Sequence, residues 1–197
     1  MFSLVTGLFD EFYREPDEFK ILILGMEGCG KTTIFEAIKI ELNHRGNGAF
    51  GAVQPTAGLN LSRCRGVFGS NLVFWDVGGR RALIPMWKKY AKEADAVLFI
   101  IDCTNQDTQR HSRAIFEDLV THDVLAGVPC MLIGNKCSDV NMATAVATDW
   151  IGPSPIQKVA PVSFLYLPPD HGQWGHLIRG MCRWLVTQCA MAKAKNL

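Results

Sequence analysis

The stretch FKILILGMEGCGKTT, Phe19 to Thr33, decides the fold. FKILIL is a short apolar run that reads as a buried strand, and Lys31 to Leu42 repeats apolar residues at three and four, as a helix does. Between them GMEGCGKT fits G-x-x-x-x-G-K-[ST] at Gly25, Gly30, Lys31 and Thr32. Glycines in such a loop let the backbone wrap around phosphate oxygens, so that successive amides and the helix N-terminus donate to them. Glu27, Gly28, Cys29, Gly30, Lys31, Thr32 and Thr33 are the expected contacts, with Lys31 reaching the β- and γ-phosphates and the Thr32 hydroxyl offered to Mg²⁺.

Outward from this loop, further apolar runs (NLVFWDV, AVLFIID, VPCMLIGN) alternate with helical patterns at Thr108 to Val124 and Gly175 to Ala190. That alternation predicts an α/β fold, a doubly wound, mostly parallel six-stranded sheet with helices on both faces. LNLSRCRGVFGSNLVFWDV reads instead as two strands joined at Gly69-Ser70, one antiparallel edge hairpin. Gly and Pro mark Asn43 to Pro55, IGPSPIQ and LPPDHGQWG as loops.

Composition narrows the function. The chain has 197 residues, enough for one domain with a full core. Twenty Lys and Arg against 19 Asp and Glu leave a net charge of +1, which supplies no field for nucleic acid or an anionic membrane, so any anion is held locally. Seven scattered cysteines with no C-x-x-C pair suggest reduced thiols, not a zinc site or a disulfide framework. No apolar run approaches the length of a membrane span, the start does not read as a secretory signal, and Phe at position 2 excludes N-myristoylation.

A phosphate loop alone does not choose between ATP and GTP. In VFWDVGGR, Asp76 at a strand tip suits the Mg²⁺ shell and Gly79 suits a γ-phosphate contact, although Asp-Val-Gly-Gly is also an ordinary turn sequence. Asn135 and Lys136 of IGNK fall at a carboxyl strand end, where α/β proteins bind ligands. Thr56 in QPTAGLN offers a second Mg²⁺ ligand on a loop that a γ-phosphate could order. An ATP-using kinase is disfavoured by the lack of an arginine-rich lid.

This order of pieces resembles the small GTPase superfamily, and within it the ADP-ribosylation factor (Arf) and Arf-like family, over nearly the whole chain. GMEGCGKTT, PTAGLN, and WDVGG followed by PMWKKY carry the likeness, and the start MFSLVTGLFDEFYREPDEF is similar to the Arf-related branch of the trans-Golgi. The resemblance implies an N-terminal amphipathic helix over 1–17 and a GTP-binding domain over 18–197. It implies GTP/GDP and Mg²⁺ as ligands, with Thr32, Thr56 and Asp76 at the metal, Asp76 through water. It further implies a switch on Golgi membranes in vesicle-mediated protein transport, worked by an exchange factor, an activating protein and effectors. The hairpin from Leu59 to Asp76 would shift register between states, and Leu59, Trp75 and Tyr90 match the family's effector-facing aromatics. Core packing is the competing reading for Trp75 and Tyr90.

Three positions depart from the family pattern. Arg80 stands where the family has the glutamine that orients the attacking water, and Arg cannot accept a hydrogen bond. Slow hydrolysis is expected, or none, which leaves a nucleotide-loaded membrane adaptor as the alternative. In the guanine motif Ser138 takes the aspartate position and Asp139 arrives one residue late, so either could face the base. Ser163 and Phe164 match the small residues of the base pocket, with Phe164 adding bulk.

Phe2, Val5, Leu8, Phe9 and Phe12 form an apolar stripe that Pro16 ends. The stripe either packs on the domain or enters a membrane in one nucleotide state. Asp10, Glu11 and Glu15 weaken attraction to anionic lipid, so a Golgi membrane receptor is expected to share the binding.

Overall fold

A computed structural model describes residues 15–42, 56–122, 124–137, 140–151 and 172–195. The N-terminal stripe and the residues Ser138, Asp139, Ser163 and Phe164 lie outside them. In chain order the elements are β1 (Glu18–Leu24), α1 (Lys31–Leu42), β2 (Leu59–Val67), β3 (Ser70–Val77), α2 (Ile84–Ala91), β4 (Ala96–Asp102), α3 (Gln106–Thr121), β5 (Cys130–Asn135), α4 (Val140–Ile151) and α5 (Gly172–Lys195).

The five described strands form one sheet in the order β2-β3-β1-β4-β5, in which only β2 runs antiparallel. The expected sixth strand has no counterpart among the described residues. β1 alternates across the sheet: Phe19, Ile21 and Ile23 pack with Ile34 and Ile38 of α1 and Met181 and Leu185 of α5. Leu22 and Leu24 pack on the other face with Trp87 of α2, Phe116 of α3 and Trp150 of α4. β4 and β5 are buried throughout, which is why both read as unbroken apolar runs. The edge strand β2 is instead exposed at most positions.

The hairpin turn is Phe68-Gly69, one residue earlier than the expected Gly69-Ser70, because Ser70 already pairs with Val67. Both turn residues have positive φ, 48° and 82°, as a primed turn requires. Phe68 is an unusual residue there, and the Arg183 guanidinium lies 5.0 Å from its ring centroid. α1 has the predicted bounds, α3 begins two residues early at the Asn105 cap, and α5 extends past Gly175 to Ala190 at both ends. The sequence reading did not anticipate α2 or α4. Pro85 reads as a breaker but sits in the first turn of α2, where its missing N–H has no helical partner to lose.

Candidate functional site

The phosphate loop leaves β1 at the carboxyl edge of the sheet and feeds α1. Gly25 turns at φ 145°, and a Cβ there would collide with the Ile100 carbonyl of β4 and with Cys29 Sγ. Gly30, at φ 94°, leaves no room for a Cβ beside the Asn135 amide. The Lys31 side chain is only 5% exposed and its ammonium donates to the Met26 carbonyl at 2.9 Å, so the loop closes around a buried cation. Thr32 and Thr33 follow on the first turn of α1, where backbone amides lack helical acceptors.

The sheet then brings a carboxylate to the same place. Asp76, at the end of β3, is 0% exposed, and its Oδ2 accepts from the hydroxyls of Thr32 at 2.9 Å and Thr56 at 3.1 Å. The two hydroxyl oxygens are 3.0 Å apart, and Asn60 Nδ2 donates to Oδ2 at 3.4 Å. Asp76 Oδ1 is buried with no hydrogen-bond partner. Burial raises the Asp76 pKa above its ordinary value, against the Thr32 hydroxyl and the Lys31 charge, which lower it. A buried carboxylate oxygen without a donor, beside two hydroxyls, is a hard all-oxygen set that fits Mg²⁺. No cluster of three His, Cys, Asp or Glu exists among the described residues, so such a cation would draw its remaining ligands from phosphate and water.

Beyond β3 the chain doubles back over the phosphate loop. Gly79 accepts from the Glu27 amide at 2.9 Å, Gly78 donates to Gly58 at 2.8 Å, and the Trp87 indole donates to the Gly78 carbonyl at 3.1 Å. Arg80 donates through Nε to Glu27 Oε1 at 3.1 Å, with the two side chains 54% and 48% exposed. RALIPMWKKY, the stretch that follows Arg80, holds no carboxylate or amide acceptor side chain, and the partner of Arg80 lies instead in the phosphate loop. No sequence spacing signals that pair.

On the opposite flank, Asn135 ends β5 almost fully buried and its Nδ2 donates to the Cys29 carbonyl at 2.7 Å. Lys136 follows in the left-handed region, φ 59°, and its ammonium meets Asp102 Oδ2 at 2.7 Å. Burial acts to raise the Asp102 pKa, but Lys136 and the Thr104 hydroxyl and amide outweigh it and hold the carboxyl below its ordinary value. Asp102 and Thr104 were missed in the sequence, although an acid closing AVLFIID was the available signal. Burial pushes the nearby Cys103 thiol up to about 11, which keeps it protonated at neutral pH. Leu59, Trp75 and Tyr90 gather on one side of the sheet, half-buried against a single core cluster, with the two aromatic rings edge to face at 5.9 Å.

A strand, phosphate loop and helix, a strand-tip aspartate beside two threonines, and an Asn-Lys pair at the next strand end define the P-loop GTPase fold. The chain belongs to the ADP-ribosylation factor family, whose sequence profile matches residues 5–150. Human ADP-ribosylation factor-related protein 1 is 36% identical over 137 residues, 69% of this chain and 67% of that protein. ADP-ribosylation factor-like protein 3 of Saccharomyces cerevisiae is 32% identical over 136 residues, 69% of this chain and 68% of that one. The Arl6 small GTPase of Trypanosoma brucei, solved with bound GppNp, shares the fold at a TM-score of 0.63 and 18% identity, over 89% of this chain and 99% of that one. Guanine-nucleotide binding, with exchange factors, activating proteins and effectors as partners, is common to the family. No described helix is long and apolar enough to cross a membrane.

Proposed function

We propose that this protein is a GDP/GTP switch that recruits effectors to Golgi membranes in vesicle traffic and hydrolyses GTP slowly by itself. The observation that carries the reading is the convergence of Thr32, Thr56 and the unpartnered Asp76 oxygen beside the buried Lys31. With nucleotide and Mg²⁺ bound, Lys31 and the loop amides would hold the β- and γ-phosphates, Thr32 and Thr56 would ligate the cation, and Asp76 would act on it through water. Mg²⁺ neutralises phosphate charge when bound. Because Thr56 reaches the site from the loop ahead of β2, a γ-phosphate that holds it there also sets the hairpin that carries Leu59 and Trp75. Those two residues and Tyr90 form the effector face.

Asn135 and Lys136 frame the base, with Ser138, Asp139, Ser163 and Phe164 completing that side. The Golgi location rests on the likeness to Arf-related proteins. Residues 1–17 are the membrane-binding segment, aided by a receptor, and 18–197 the GTP-binding domain. A second reading, a non-hydrolysing adaptor, is favoured by Arg80, which cannot accept a hydrogen bond from water. Liposome flotation of the full chain loaded with GDP or a non-hydrolysable GTP analogue tests the switch. Flotation only with the analogue is expected, and equal flotation in both states refutes it.

A further inference from the structure

We propose that Glu27 and Arg80 form a two-residue hydrolytic unit, in which the Glu27 carboxylate accepts from the attacking water and Arg80 donates to the γ-phosphoryl oxygens. The inference rests on the reading of the site as a GTP site. In-line attack needs an acceptor that orients the water and a donor for the charge that develops. Arg80 alone is only a donor. The structure supplies the missing acceptor 3.1 Å away, through a single bond from Nε. That bond leaves one carboxylate oxygen and both terminal amino groups of the guanidinium for other partners.

Both residues are anchored beside the ammonium that marks the phosphate end of the site. Gly79, next to Arg80, accepts from the Glu27 amide at 2.9 Å and lies too close to Lys31 Nζ for any Cβ. The pair opens on a cleft of about 540 Å³ bounded by Met26, Arg81 and the start of α3 at Asn105, Thr108 and His111, which admits water. Charge explains why two residues are needed. A lone carboxylate beside a triphosphate would repel it, whereas the ion pair is neutral. In the step itself the water oxygen bonds to the γ-phosphorus as its bond to the β–γ bridging oxygen breaks, and that electron pair leaves on GDP. Glu27 holds the water proton, which passes to the released phosphate. The turnover stays slow because acceptor and donor sit on two half-exposed side chains.

An ion pair this exposed contributes little to stability, so its variants should fold. The test is single-turnover GTP hydrolysis by the full chain, with GTP affinity measured in the same samples, for wild type, Glu27→Ala, Glu27→Gln, Arg80→Ala and the double alanine variant. Each single alanine variant should lower the rate at least about tenfold, and the double should be no slower than either, as residues acting as one unit behave. Glu27→Gln, which keeps an acceptor oxygen, should retain more activity than Glu27→Ala. Because both side chains belong to the site, the rates are compared at saturating GTP; Arg80→Ala, which leaves the carboxylate unopposed beside the triphosphate, should also weaken GTP binding. A rate that is unchanged or raised in Glu27→Ala, with GTP still bound, overturns the unit, as do losses that multiply in the double variant. Failure of the wild type to bind guanine nucleotide overturns the site reading itself, and the unit with it.

Discussion

Gly79→Ala separates the two nucleotide states by steric means alone. Gly79 has no positive φ, so alanine brings no backbone strain and the whole effect comes from its Cβ. That atom would meet the Lys31 ammonium, the Glu27 amide nitrogen at 2.5 Å and the Gly25 carbonyl oxygen at 2.5 Å. Two of the three are backbone atoms of the phosphate loop and cannot swing aside. The segment 79–81 must therefore lift, which breaks the Glu27 to Gly79 hydrogen bond. Overpacking of this kind costs about 1 to 3 kcal/mol and the lost bond about 1 more. A total of about 2 to 4 kcal/mol lowers affinity about 30- to 1,000-fold for any ligand that needs the segment docked. In the proposed switch GTP needs it, for the γ-phosphate contact, and GDP does not. Titration of fluorescent GDP and of a fluorescent non-hydrolysable GTP analogue should show the loss for the analogue, with GDP affinity within about threefold of wild type. Equal losses for the two nucleotides, or none, would refute the argument.

Asp102 has a lowered pKa, so its ion pair stabilises the fold above the ordinary value of 3.8 and that stability is lost as pH falls through the lower folded value. Lys136→Met removes a main cause of the lowering, so the acid-unfolding midpoint should move to higher pH; an unchanged midpoint counts against the pair. Asp139→Ala should lower GDP affinity about 10² to 10⁴-fold if that carboxylate makes both bonds to guanine, and unchanged affinity would assign the base contact elsewhere.

Much of the site was legible because its parts are local. The phosphate loop, its strand and its helix occupy one continuous stretch, Asp76, Asn135 and Lys136 sit at or just past the ends of apolar runs, and Thr56 lies in the short loop ahead of β2. What was missed depends on distant contacts. Glu27 was expected at the nucleotide, but its pairing with Arg80 joins residues 53 positions apart. The role of Asp102 appears only when the parallel pairing of β4 and β5 sets its strand end beside Lys136. α2 spans only Ile84–Ala91, too short for a clear helical repeat in the sequence, and the hairpin turn lies at Phe68-Gly69, one residue ahead of the expected Gly69-Ser70.

The proposed switch depends on guanine-nucleotide binding. Its most direct test is to denature the purified protein, separate the released small molecules and identify them by mass spectrometry. GDP or GTP is expected at close to one molecule per chain. Adenine nucleotide at that stoichiometry, or no nucleotide in a protein that also fails to take up added GDP with Mg²⁺, would contradict it.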